Sequence, residues 1–149
     1  MKIMKPVEVS AHGFAFCRWG ITLLVWLALV PGFSKVLWVV TVILSLSALL
    51  KVRNAPMIWL HRVTVGRFIS SPTIVLDEYA MAFAHSLGAN MSLACCLAWI
   101  FAPHPIALGA TLLLCIAKTA GALGHCSGVK LYQCMQSETC CRFMKAPHA

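Results

Sequence analysis

The chain has 149 residues, 60% of them hydrophobic and 11% charged, with a formal net charge of +8. An average soluble domain is roughly 45–50% apolar and ~25% charged, so this composition excludes an ordinary soluble domain and makes a lipid bilayer the first expected partner. Nucleic acid is not expected, because the basic residues fall in separate stretches and form no aromatic-interleaved stripe.

A hydrocarbon layer about 30 Å thick takes about 20 apolar residues per helix, and four runs approach that length. The first helix is expected over about residues 17–33 ("WGITLLVWLALVPGF" from Trp19), with Arg18 reaching back to the headgroups. A signal peptide is disfavoured there, since no small-residue cleavage site follows and a second apolar run begins at once. That second helix, about residues 35–50, is short, and Lys35 and Lys51 can lengthen it by snorkelling. Both runs are apolar on all sides, whereas a soluble bundle would show polar stripes at helical spacing.

The stretch that follows, about residues 54–70, carries Met57, Ile58, Trp59, Leu60 and Val63 between His61, Arg62 and Arg67. With Asn54 as a cap and Pro56 in the first turn, it reads as a short helix in the membrane interface; a plain loop over the bundle is the alternative. The third and fourth helices are expected over about residues 79–102 and 105–127, leaving a tail over 128–149. The turns "PGFSK" and "APHP" permit only antiparallel hairpins. The expected fold is therefore all-α and polytopic: one integral membrane domain over 1–149, four transmembrane helices as two antiparallel hairpins, plus the interfacial helix.

Charge orients the bundle. Lys2, Lys5 and Arg18 precede the first helix, Lys51, Arg53, Arg62 and Arg67 lie in the middle loop, and Lys130, Arg142 and Lys145 follow the fourth; the hairpin turns hold only Lys35. Basic residues stay on the cytoplasmic side, so both termini are expected in the cytoplasm. Cys126, Cys134, Cys140 and Cys141 are then expected as reduced thiols.

The stretches "RNAPMIWLHR" (Arg53 to Arg62), "AFAHSLG" (Ala82 to Gly88) and "GHCSGVKLY" (Gly124 to Tyr132) occur in an order that resembles a small bacterial four-helix integral-membrane family, domain-of-unknown-function family 4395. The resemblance covers nearly the whole chain and implies an inner-membrane location, with no activity to carry over. Departures fall on Ala82, His85, His125 and Val129, where the family tends to have arginine, glutamine, phenylalanine and a second cysteine. Without a cysteine at 129, Cys126 has no C-x-x-C partner for redox cycling or for two-ligand metal binding.

Three groups of residues carry what chemistry the chain offers. Cys126, Cys134, Cys140 and Cys141 are candidate soft-metal ligands, against the plainer reading of unused thiols; their spacing matches no zinc-finger pattern. His85, Asn90 and Lys118 are intramembrane polar residues, and His85 and Lys118 are near enough to the same side to share a cytoplasm-facing pocket beside Cys17, or merely to bond between helices. Gly124, Gly128 and Tyr132 read as structural, the glycines giving a close helix contact or a helix stop and the tyrosine an anchor near the headgroups. Cys95, Cys96 and Cys115 read as core packing. With four carboxylates in all and no hydrolase or phosphate-loop motif, the expected function is a non-enzymatic accessory component binding a membrane or thiol-handling partner, with a soft-metal transporter or sensor as the alternative. No resident cofactor is expected beyond such a metal ion.

Overall fold

The computed structural model describes residues 5–50, 54–67, 72–125 and 127–136. The chain is mostly helical, in the order β1 (Pro6–Ser10), α1 (Ala11–Leu27), α2 (Val36–Leu49), α3 (Pro56–Thr64), β2 (Thr73–Asp77), α4 (Glu78–Phe101), α5 (His104–Ala122) and α6 (Ser127–Gln136). Of these, α4 and α5 are long and apolar enough to cross a membrane, while α1 and α2 are apolar but shorter.

The expectation of an all-helical chain is corrected by β1 and β2, which pair antiparallel from Pro6 against Asp77 to Ser10 against Thr73. The ladder continues at both ends, from the Ala11 N–H to the Pro72 carbonyl (2.9 Å) and from the Glu78 N–H to the Lys5 carbonyl (3.0 Å). Lys5 also reaches Glu78 with its side chain, Nζ to Oε2 at 2.8 Å. Each strand runs directly into a helix. Ser10 caps α1 by accepting from the Gly13 N–H at 3.1 Å, and Asp77 caps α4 by accepting from Tyr79 at 3.1 Å. Small oxygen-bearing side chains satisfy helix N–H groups that have no partner within the helix.

These caps explain the shifted boundaries. α1 starts at Ala11, ahead of the expected position near 17, because Ser10 supplies a start signal and a helix tolerates His12 and Arg18. It ends at Leu27 and not near 33; the segment to α2 turns through Gly32 at φ +89°, a conformation open chiefly to glycine. The interfacial helix is confined to Pro56–Thr64, and Ala55, not Asn54, holds its N-cap position, with no side-chain bond. α5 ends at Ala122, short of 127, because Gly124 at φ +95° turns the chain. Part of the expected tail is helical as α6.

α1, α2, α4 and α5 form a ring in which each packs on the next, and its tightest contacts are α2 on α4 and α1 on α5. The helices within each sequential hairpin touch less than these cross-pairs do. What draws α2 to α4 is a seam of small polar side chains: Thr41 Oγ1 donates to Ser92 Oγ at 2.9 Å, and Ser92 Oγ to the Leu37 carbonyl at 3.3 Å. Cys96 Sγ lies 3.7 Å from Thr41 Oγ1. On the other side, Cys115 Sγ donates to the Val25 carbonyl at 3.5 Å and Trp26 Nε1 to Thr119 Oγ1 at 3.0 Å. Trp99 Nε1 joins α4 to α5 through Thr111 Oγ1, also at 3.0 Å.

The interior is accordingly small and partly polar, with Ser47, Ser92, Thr111, Cys96 and Cys115 fully buried, while Trp38, Leu23, Phe101, Leu113 and Ile116 face outward. α3 packs across the first half of α1, where the His61 ring meets Phe16 at 5.5 Å. Its own outer face carries Trp59, Leu60 and Val63.

Candidate functional site

A cavity of ≈ 360 Å³ lies at the end of the bundle where α5 stops and α6 begins. Five side chains able to carry chemistry line it: Cys17 and Arg18 from α1, His85 from α4, Lys118 from α5 and Lys130 from α6. The apolar part of the lining includes Ile21, Leu44, Leu87, Met91 and Leu114. The size falls in the range of ~300–1,000 Å³ typical of small-molecule sites, as does the combination of apolar walls with a few convergent polar groups.

The helix geometry brings the polar groups together. Phe14, Arg18, Ile21 and Val25 succeed one another at three- and four-residue steps, so they share the inward face of α1. Antiparallel pairing sets Arg18 against the end of α5, where its guanidinium donates to the Ala122 carbonyl. One turn further, Thr22 Oγ1 donates to the Lys118 carbonyl at 3.3 Å. The Arg18 guanidinium also stands 5.4 Å from the centre of the Phe14 ring, within cation–π range. Its Nε is buried with no hydrogen-bond partner among the described residues.

Gly88 makes room for the lysine. A Cβ at that position would collide with Lys118 Nζ and come within 3.4 Å of Leu44, so the Lys118 amine occupies space that any other residue on α4 would fill. His85, one turn earlier on the same helix, faces the same cavity. At the mouth, Gly128 of α6 lies against Ala84, and Tyr132 stacks on Phe83 with ring centres 5.6 Å apart. These two contacts hold α6 over α4, with Val129 and Lys130 in the cavity wall.

Of the three polar residues expected within the membrane, the structure brings His85 and Lys118 to one cavity beside Cys17, and leaves Asn90 exposed on the outside of α4. Two further lining residues were read differently from sequence. Arg18 turns inward to Ala122 instead of reaching to the headgroups, and Lys130, which counted only toward topology, belongs to the wall. The inward stripe on α1 was the available signal for the first; nothing in the sequence marked the second.

The cysteine candidates are not assembled among the described residues. Cys126, Cys140 and Cys141 lie outside them. Cys134 is on α6 and is disulfide-bonded, so it is not the reduced thiol expected of a cytoplasmic tail. No cluster of three or more His, Cys, Asp or Glu side chains suited to a metal occurs among the described residues. Cys17, Cys95, Cys96 and Cys115 are free and buried. Gly124 supplies the turn after α5, and Gly128 the close helix contact.

A family described as "Domain of unknown function (DUF4395)" matches residues 9–137 of the chain. The chain belongs to this family. The DUF4395 match runs from β1 through α6 and so takes in every element that lines the cavity. Comparison with curated proteins and with solved structures gives no match.

Proposed function

We propose that this DUF4395 protein is a four-span component of the bacterial inner membrane, both termini cytoplasmic, that binds a ligand or partner and carries out no catalysis of its own. The observation that carries this reading is the apolar outer surface of the bundle. Large apolar residues cover the outside of α1, α2, α4 and α5, while inside buried Ser, Thr and Cys side chains sit among Leu37, Leu44, Leu114, Val25 and Val40, as suits a bundle whose surroundings are lipid and whose helices meet partly through small residues. In the apolar windows of α4 and α5 only 28% of residues are buried, too few for the core helices of a soluble domain.

Further support comes from α3, whose exposed Trp59, Leu60 and Val63 beside Arg62 suit a helix lying in the headgroup region. The short α2, 14 residues or ~21 Å long, crosses a bilayer in this reading with help from the flanking turns. Trp38 in its first turn and Lys35 at its N-cap position supply interfacial anchors. The accessory role rests on the basic and apolar lining of the cavity, which suits binding.

The test is a pair of C-terminal fusions. A reporter active only in the periplasm is expected to be silent, and a fluorescent protein that matures only in the cytoplasm is expected to glow in the membrane fraction. The opposite pair of results, or protein extracted from membranes by alkaline carbonate, overturns the proposal.

A further inference from the structure

We infer that the cavity is a binding site for an anionic amphiphile, an acidic headgroup carried on an apolar tail. The inference rests on the ligand-binding reading above and adds the ligand's chemical class. Three basic side chains, Arg18, Lys118 and Lys130, converge on the cavity, and among the described residues no aspartate or glutamate lines it. The described carboxylates, Glu8, Asp77 and Glu78, lie on β1, on β2 and at the start of α4. Like charges gathered around one cavity repel one another, and an anion among them eases that repulsion.

Arg18 points to the same ligand. Its guanidinium is permanently charged and carries five N–H donors in a fixed fork. One arm is used on the Ala122 carbonyl, the face is used on Phe14, and the buried Nε has no partner among the described residues. Arg18 also lines the cavity, and an acidic oxygen there meets the guanidinium's charge through its terminal N–H groups. The apolar half of the ligand is read from the rest of the lining, where Ile21, Leu44, Leu87 and Leu114 offer no polar group and Met91 supplies an adaptable surface. A small hydrophilic anion would leave those walls uncovered, and a neutral hydrocarbon would leave Arg18 unmet. The ligand has both parts, whether it comes from the bilayer as an anionic lipid or from the cytoplasm as a soluble acid.

The experiment uses the full-length protein in nanodiscs of zwitterionic phosphatidylcholine and follows dansyl-undecanoate by its fluorescence, against protein-free discs. Saturable binding of the carboxylate is expected, with the corresponding methyl ester about tenfold weaker or more, since a charge-assisted hydrogen bond is lost. Arg18→Gln and Lys118→Gln are each expected to weaken the carboxylate about tenfold while leaving the ester unchanged, and Arg18→Lys to retain part of the affinity. Displacement of the probe by phosphatidylglycerol built into the disc assigns the ligand to the bilayer; displacement by soluble octanoate alone assigns it to the cytoplasm. Equal binding of acid and ester by wild type, or no saturable binding of either, overturns the inference without any appeal to a variant. The ester comparison does not depend on which way the protein faces in a cell. It therefore stands apart from the fusion test of topology.

Discussion

The backbone of Gly128 lies so close to Ala84 that a methyl group at 128 would stand 3.1 Å from the alanine Cβ and 3.2 Å from its Cα. α6 is docked on α4 through this one place without a side chain, with Tyr132 on Phe83 as the second point of attachment. Gly128→Val is expected to cost ~1–3 kcal/mol of docking, as overpacking of a close contact does, and to lift α6 away. Trypsin cleavage after the exposed Lys130 should be faster in the variant than in wild type, with α1 to α5 remaining protected. Equal cleavage rates would show that α6 is held by something other than this contact.

The seam between α2 and α4 makes a different kind of prediction. Thr41→Val keeps the shape and removes the hydroxyl that donates to Ser92, so its effect is expected to be small, ~0.6 kcal/mol, the average for such bonds between membrane helices. Ser92 is fully buried, and Ser92→Leu must force the helices apart; a loss of ~1–3 kcal/mol is expected. Reversible unfolding in mixed detergent micelles measures both. A larger loss from Thr41→Val than from Ser92→Leu would mean that hydrogen bonding, and not packing, sets the spacing of the helices.

Alkaline pH should loosen the β1–β2 clasp. Lys5 is held above its ordinary pKa of 10.5 by its hydrogen bond to Glu78 and then by the charge attraction between them. A lysine whose folded pKa is raised stabilises the fold fully below the unfolded pKa, and that contribution disappears as pH rises through the folded value. The difference in melting temperature between wild type and Lys5→Met is therefore expected to be constant below about pH 10 and to close above it. A difference that stays the same up to pH 12 would remove the ion pair from the explanation.

How much of this could be read from residues alone depends on whether the signal was local. The helices α1, α2, α4 and α5 were visible because each is a predominantly apolar run with at most one charged residue. The meeting of His85 and Lys118 was visible because both lie a similar distance from one end of a single hairpin. The clasp was hidden: "PVEVS" and "TIVLD" are five-residue segments, unremarkable by themselves, and their partnership spans α1, α2 and α3. Loop lengths also misled about partners. A short turn makes two helices neighbours, but closeness comes from small residues, and Thr41, Ser92 and Gly88 place α4 tightest on α2. The cavity became legible only with Arg18 turned inward and α6 laid across the end, since "SGVKLYQCMQ" carries no apolar run long enough to stand out.

The clasp also sets an order of manufacture. Chains emerge from the ribosome N-terminus first, so β1 is synthesised long before β2, and α1, α2 and α3 must all follow while it waits. Its backbone N–H and C=O groups meet their partners only once Thr73–Asp77 has been made. Because Ser10 leads into α1 and Asp77 into α4, that late pairing brings together the starts of the two hairpins. The strand pair can thus close at the midpoint of synthesis, tying the start of α4 to the start of α1 before α4, α5 and α6 have been made.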